Sequence, residues 1–417
     1  MRRVFNALAV LALLPAILLL TAFLPKAAPV AVQLGETRPV ETALGDTSLP
    51  TAQQVWLDMI RGAKQQLDLE HFYLSRKPGE ALDPVLDEIG RAASRGVRVR
   101  LLLDRGMART YPQPAESLGA LHGITVKYVD YRRLAGGVQH AKFMIVDDRE
   151  AWLGSQNLDW RSLSHIHELG ARITLEPVAK AIDDVFETDW VATDTTQSSA
   201  PVDRKNAKWP LKFSQDGVSG RLWFGASPVK LNPGSTPWDR DLILERVNQA
   251  QRELVAQVLS YGVGGHGRTD STLHRALIAA AGRGVKVKLI VSDWVVGGRG
   301  EADLRALAAT PNIEVRISRV PEWSGGYVPF SRVEHCKYMV TDDEWLWLGT
   351  SNWDPSYFLS SRNIGVTMQH RKLAAQVRAI FETSWRMPSA VALAEGVTLE
   401  KRIHAETPPP GALLYGE

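Results

Sequence analysis

The chain has 417 residues, 49 of them Lys or Arg and 46 Asp or Glu, for a formal net charge of +3. Such a balance excludes a strongly basic nucleic-acid coat, though not a local basic cleft, and the length suits two domains of ordinary size. A single cysteine, Cys336, excludes any internal disulfide.

Arg2 and Arg3 precede an uncharged run from Val4 to Leu24. The run is long enough to span a bilayer, with Pro15 as a kink. No clean small-x-small cleavage site follows, so residues 1–29 are read as an uncleaved signal-anchor in preference to a cleaved signal peptide. The leading arginines favour the cytoplasm for the N-terminus, which exports the rest as a membrane-anchored part, or as a secreted or periplasmic one if cleavage occurs. Residues 30–50 contain Pro, Gly and Thr without periodicity and are expected to be a spacer.

The first half, residues 51–192, alternates helix and strand. Val55, Leu57, Met59, Ile60 and Ala63 have helical spacing over Thr51–Gln66, with Thr51 as cap. Leu67–Leu74 alternates like a strand. Leu82–Arg95 is helical and stops at Gly96, and Val97–Asp104 is a strand. Leu118–His122 is a short helix before a strand at Ile124–Tyr128.

Gln139–Val146 then reads as a strand, Asp147–Glu150 as a turn and Ala151–Ser155 as the returning strand of a hairpin. Alternation puts His140 and Lys142 on one face. Ser155 and Asn157 follow at the end of the second strand. An ammonium, a hydroxyl, a carboxamide and an imidazole together suit a phosphate: Lys as point charge, Ser and Asn as donors, His as the group titrating near neutrality. Beyond them, Trp160, His165, His167 and Glu168 complete the half. No Cys, His or acidic cluster joins the two histidines, so they are read as solvated or packed rather than as metal ligands.

Residues 193–220 read as a linker, and the order then repeats over 221–388. Asp241–Glu253 and Ser271–Arg283 are helices; Leu254–Tyr261 and Val285–Val291 are strands. The segments "RAASRGVRVRLLLD" and "IAAAGRGVKVKLIVSD" match. Arg98, Arg100, Lys286 and Lys288 are expected on a solvated strand face. The hairpin returns as His335-Cys336-Lys337, Asp342 and Gly349-Thr350-Ser351-Asn352. His140 and His335 lie 195 positions apart, so the repeat is domain-sized. Two histidines suit covalent phosphoryl transfer, one attacking phosphorus and the other protonating the leaving oxygen. Alternation points Cys336 away from His335 and Lys337, as a small buried filler. Residues 389–417, with three consecutive prolines, are expected to be a loose tail. The whole is predicted as α/β: two similar α/β/α sandwich lobes with mixed sheets about a pseudo-twofold, sharing one cleft.

The duplicated pattern resembles the phospholipase D superfamily, whose signature His-x-Lys-x4-Asp-x6-Gly-Ser-x-Asn occurs twice. The first copy fits throughout; the second carries Thr350 in place of Ser and keeps the hydroxyl. Segments such as "WLDMIRGAKQQLDLEHFYL", "GSQNLDWRSL" and "ASPVKLNPGSTPWD" resemble the branch of membrane-anchored phospholipase D-like proteins, type II membrane proteins that act on phospholipids or, as 5′ exonucleases, on single-stranded nucleic acid. The several cysteines of that branch are missing here. The resemblance implies catalytic roles for His140, Lys142, Asp147, His335, Lys337 and Asp342, phosphate binding by Ser155, Asn157, Thr350 and Asn352, and no cofactor or metal. It also implies that Glu168 orients the nucleophilic histidine. The matching position in the second half is Asn363, so His140 is expected as the carboxylate-backed nucleophile and His335 as the general acid. The expected activity is phospholipase D-type hydrolysis or phosphatidyl transfer at the membrane through a phosphohistidine. The alternatives are a single-strand 5′ exonuclease, with Trp160, Trp353, Tyr357 or Phe358 stacking a terminal base, and an inactive scaffold of the same fold.

Overall fold

In the computed structural model, residues 30–416 are described except 195–200, 203, 205, 206, 235 and 266. The signal-anchor expected in residues 1–29 lies outside the described residues. Among those described, no helix is long and apolar enough to cross a membrane.

The first sheet contains seven strands: β1 (Val32–Thr37), β2 (Gln66–His71), β3 (Arg98–Asp104), β4 (Ile124–Val129), β5 (Phe143–Val146), β6 (Glu150–Gly154) and β7 (Glu168–Ile173). Their order is β1-β7-β6-β5-β2-β3-β4. The second sheet has nine: β8 (Leu211–Gln215), β9 (Val218–Ser227), β10 (Glu253–Val258), β11 (Lys286–Ser292), β12 (Ile313–Ser318), β13 (Tyr338–Thr341), β14 (Trp345–Gly349), β15 (Asn363–Gln369) and β16 (Ala390–Ala392). Their order, β8-β9-β15-β14-β13-β10-β11-β12-β16, repeats the first sheet at its centre. In each sheet three strands run parallel, β2-β3-β4 or β10-β11-β12, and the hairpin joins them antiparallel through β5 or β13.

Parallel strands need crossover helices, and these cover the outer faces. Helix α1 (Ala52–Gly62) starts at a capping box between Thr51 and Gln54 and buries Val55, Trp56, Met59 and Ile60. With α2 (Asp83–Ser94) it packs on Leu67, Leu69, Val99, Leu101 and Met144. Helices α4 (Asp239–Gln249), α5 (Thr272–Gly282) and α6 (Arg299–Ala308) do the same for the second sheet. Gly96 and Gly284 take φ of 89° and 92° where a helix turns into β3 or β11, a conformation that favours glycine. Between the sheets, α3 (Glu176–Val191) and α7 (Arg371–Arg386) share one core cluster with the inner faces of both. The lobes are therefore joined through a continuous apolar core.

Several expected boundaries differ. The supposed spacer contains β1, whose partner β7 lies over 130 positions away; Val32 pairs Ile173 and Thr37 pairs Glu168. The expected linker contains β8 and the start of β9, so the second sheet begins before residue 221. The expected tail contributes β16, and Tyr415 reaches the first lobe, where Lys77 Nζ donates to its carbonyl at 2.7 Å. The short helix before β4 runs Pro112–Gly119, not Leu118–His122. Arg100 is not solvated: it is buried in a two-pronged bond to Asp68 at 2.6 and 2.9 Å, with Glu187 at 2.8 Å. Alternation placed it correctly on the face opposite Leu101, but α3 covers that face. Lys286 is exposed as expected, and Lys288 pairs with Glu253 at 3.2 Å.

Candidate active site

Each hairpin strand is preceded by its histidine and lysine, and each enters the opposite lobe. His140 N donates to Arg362 O at 2.9 Å, and His335 N donates to His167 O at 2.9 Å. Lys142 and Lys337 are buried and turn back on the chain, their Nζ atoms donating to His140 O at 2.5 Å and His335 O at 2.6 Å. Both lysines act electrostatically on both histidines, so the two motifs share one pocket.

Burial, then the lysine charges, holds both imidazoles well below their ordinary pKa. Burial, then Lys337, lowers Lys142 well below its usual range, and burial lowers Lys337 to about 7, with Glu168 opposing. Four groups able to carry positive charge crowd into low dielectric with one carboxylate. An anion between them favours their charged forms, and a phosphate oxygen supplies one.

The orienting residues cross between lobes. His140 Nδ1 lies 3.1 Å from Asn363 Oδ1, and His335 Nδ1 lies 3.1 Å from Glu168 Oε1. The expectation that Glu168 stands behind His140 is thereby corrected: β7 carries Glu168 to the edge where the second lobe docks, so it serves the other lobe's histidine. Burial pushes Glu168 up to about 8, and Ser162 Oγ donates to it at 2.9 Å. The Asn363 amide has a defined sense. Its Nδ2 donates to Tyr357 O at 2.9 Å, so Oδ1 faces His140 as an acceptor. Nδ1 of His140 therefore carries its proton, and Nε2 keeps a free lone pair.

Ser155 and Thr350 are fully buried and hold the orienting residues, not the cleft. Thr350 Oγ1 donates to Asn363 Oδ1 at 2.9 Å and accepts from Ile364 N at 3.0 Å. Ser155 Oγ accepts from Leu169 N at 3.1 Å and lies against Glu168. Asp147 and Asp342 stand at the far ends of the hairpins. Asp147 accepts from the backbone N–H groups of Lys64, Gln65 and Gln66 at 2.7–2.9 Å. Asp342 accepts from Gln251, Arg252 and Glu253 at 2.7–3.1 Å. These four residues are structural supports, contrary to the catalytic or phosphate-binding roles expected of them. Asn157 and Asn352 do lie at the site. Asn157 Nδ2 donates to the Tyr73 hydroxyl at 3.4 Å, and its buried Oδ1 has no hydrogen-bond partner. Asn352 is buried beside the Tyr357 hydroxyl.

Of the aromatic candidates, Trp160, Trp353 and Phe358 belong to the outer cores, whereas the Tyr357 ring meets that of His140 edge-on at 4.8 Å. Phe72 and Tyr73, which the sequence reading left inside a strand, complete the wall: the Phe72 ring is 5.1 Å from His140 and lies under Lys142. The signal for them was their place past the carboxyl end of a parallel strand, where α/β sheets bind ligands. His71, pushed to about 3 by burial and Lys142, stays neutral behind them.

His165 is packed among Trp160, Trp323 and Tyr415. His167 has partners that the sequence concealed. Its Nε2 is 2.8 Å from Glu36 and its Nδ1 2.7 Å from Glu334, all fully buried, with Cys336 alongside. The carboxylate contacts are hydrogen-bonding distances, and against the effect of burial Cys336 and Glu334 raise His167 well above its usual pKa. Cys336 is therefore a partner of His167 more than a filler, its thiol pushed up to about 12 by burial.

Two lobes that bring paired histidines and lysines into one pocket are the arrangement that the duplicated signature implies. The family described as "Cardiolipin synthase, PLD-like domain" matches residues 56–190 and 243–385. The chain belongs to the phospholipase D superfamily. It is 31% identical to the 5′-3′ exonuclease PLD4 of Mus musculus over 81% of this chain and 74% of that one. It is 31% identical to the 5′-3′ exonuclease PLD3 of Rattus norvegicus over 82% and 76%, and 29% identical to phospholipase D Z of Dictyostelium discoideum over 86% and 89%. In fold it is similar to phosphatidylserine synthase of Haemophilus influenzae, with a TM-score of 0.58 at 16% identity, covering 80% of this chain and 84% of that one. As a member of this superfamily the protein is a phosphodiesterase.

Proposed function

We propose that the protein cleaves single-stranded nucleic acid from an end, through a phosphohistidine on His140. The observation that carries the substrate is the wall beside the nucleophile. From His140 the half-buried rings of Phe72, Tyr73 and Tyr111 follow in steps of 5.5 and 5.7 Å. Such a run offers successive π faces to bases without selecting sequence. The names of the exonuclease relatives agree with this reading. A phospholipid is the second reading, favoured by the Dictyostelium relative's name.

In the first step Nε2 of His140 attacks phosphorus, the bond from phosphorus to the leaving oxygen breaks, and His335 Nε2 gives that oxygen a proton. Lys142 and Lys337 hold the non-bridging oxygens. Glu168 stabilises the imidazolium of His335 that precedes transfer. In the second step His335 takes a proton from water, the oxygen attacks phosphorus and the nitrogen–phosphorus bond breaks, restoring His140. Asn363 fixes the attacking tautomer of His140, while the carboxylate that the sequence reading tied to the nucleophile stands behind His335, where it suits the acid role by favouring the charged imidazole.

Residues 4–24 as a membrane anchor remain part of this proposal. The described chain enters β1 at Val32, while Thr37 at the other end pairs with Glu168 of the site. Five steps of strand, about 17 Å, separate the two.

The test is to give the purified protein end-labelled single-stranded DNA and, separately, phosphatidylglycerol vesicles. Mononucleotide release is expected, with a phosphohistidine accumulating in a His335→Asn variant. Head-group release without nucleotide release would overturn the nucleic-acid reading in favour of the lipid.

A further inference from the structure

The aromatic wall does not end at Tyr111. The buried Arg161 guanidinium lies 5.9 Å from the Tyr111 ring and 5.9 Å from the Phe330 ring of the other lobe. Phe330 is near-parallel to Trp294, at 10° and 6.5 Å between centroids. Trp294 follows β11, at the carboxyl end of a parallel strand and so at the same end of the sheets as the catalytic histidines. It is 41% exposed, whereas Trp56, Trp152, Trp347 and Trp353 are among the most deeply buried side chains. His404, from the segment after β16, stacks on it at 5.3 Å and 20°.

A single exposed apolar ring is ordinary on a protein surface, so what sets Trp294 apart is the series of rings it joins. Three features suggest the occupant. The ring is packed beside near-parallel Phe330 and His404 and keeps much of its surface open. It is continuous, through Phe330, Arg161 and Tyr111, with the wall that starts at His140. The link in that series is the Arg161 guanidinium, which is paired with buried Asp159 at 3.0 Å and lies near the faces of both rings.

We propose that Trp294, with Phe330 beside it, is an outer binding site for a nucleobase of a single strand whose end lies at His140. This rests on the nucleic-acid reading above and deepens it. The inner wall takes the terminal nucleotides, and Trp294 engages a base several nucleotides further on. The site makes no contact with the scissile phosphate, so it contributes to binding of long substrates and not to the chemical step.

The experiment uses the full chain, with Trp294→Ala, Trp294→Phe and His404→Ala variants. KM and kcat are measured on single-stranded oligonucleotides from two to twelve nucleotides, and on bis(p-nitrophenyl) phosphate, a small diester. Anisotropy of a labelled twelve-nucleotide strand on a His140→Asn background reads binding alone. Removing one stacked base costs on the order of 1–3 kcal/mol, about five- to a hundred-fold in affinity. The Trp294→Ala variant is expected to raise KM for the long strands by that factor, with kcat unchanged. The effect should vanish below a threshold length and be missing for the small diester, and Trp294→Phe should restore most of the affinity. His404→Ala should leave most binding intact; a loss equal to that of Trp294→Ala would show that the terminal segment, and not the indole, is responsible. Equal effects of Trp294→Ala on short and long substrates, or none on long strands, would overturn the outer site while nucleotide release upheld the nuclease. A wild type that hydrolyses the small diester but neither binds nor cleaves any strand would overturn the nucleic-acid reading and the outer site with it.

Discussion

At the scale of single residues, the site is organised by which lobe supports which histidine. Glu168 has a folded-state pKa of about 8 against an ordinary 4.5. Between those values the folded chain holds a proton that the unfolded chain has released, so this group lowers stability as pH rises from about 4.5 to about 8. A Glu168→Gln variant should flatten the fall of Tm over that window. It should also lower kcat about 10- to 100-fold, because His335 loses the partner of its charged form. An unchanged kcat would remove Glu168 from the proton path. Asp147 makes the opposite prediction. Asp147→Ala strips acceptors from three backbone N–H groups and should cost about 1–3 kcal/mol in chemical denaturation, with kcat nearly unaltered. A collapse of kcat at normal stability would return it to the chemistry. Chelation bears on the residues as well. Two lysines and two histidines already offer the positive charge that a phosphoryl transition state needs, so activity should withstand EDTA; a loss reversed by a divalent ion would refute this.

At the scale of elements, β1 is the least expected piece. It closes the outer edge of the first sheet, buries Val32 and Leu34, and places Glu36 against His167. A chain beginning at Thr51 should therefore be insoluble or unfold at a much lower temperature, whereas one beginning at Val30 should keep the Tm of the full chain. Equal melting of the two would make β1 dispensable. The same reasoning separates the parts that local pattern could reveal from those it could not. Helix α1 was legible because a capping box and a 3.6-residue apolar period both fall inside eleven residues. Strand β1 was not, because Gly35 interrupts an already short segment and everything that makes it a strand comes from β7.

At the scale of the molecule, two ionic clamps hold the lobes about the site. Arg362 of the second lobe grips Asp189 of the first at 2.7 and 2.9 Å. His167 of the first lies between Glu36 of its own lobe and Glu334 of the second. Each clamp directly precedes an orienting residue in the chain, Asn363 or Glu168, so the contacts that join the lobes lie beside those that orient the histidines. The raised pKa of His167 makes its contribution complete below the ordinary histidine value, and that contribution is lost as pH rises through the higher folded value. His167→Gln leaves two buried carboxylates without their cation and should cost about 3–5 kcal/mol. The loss should be larger at pH 5.5 than at alkaline pH, as urea denaturation at the two values would reveal; equal losses would mean that the imidazole is held neutral.

The duplicated motif, with its histidines and lysines, is legible along the chain alone. His140, Lys142, His335 and Lys337 recur at the same spacing in both halves, and the two-residue offset puts each His and Lys on one side of an extended segment. The helices and parallel strands of both halves are legible there as well, since those arise from short-range period. Three-dimensional packing settles the rest: Glu168 lies against His335 and Asn363 against His140, Ser155, Thr350, Asp147 and Asp342 make supporting hydrogen bonds, and acids enclose His167. Each of those relations joins residues from different lobes or distant strands. Contacts of that kind depend on how sheets pack and not on neighbours along the chain, so no local pattern encodes them.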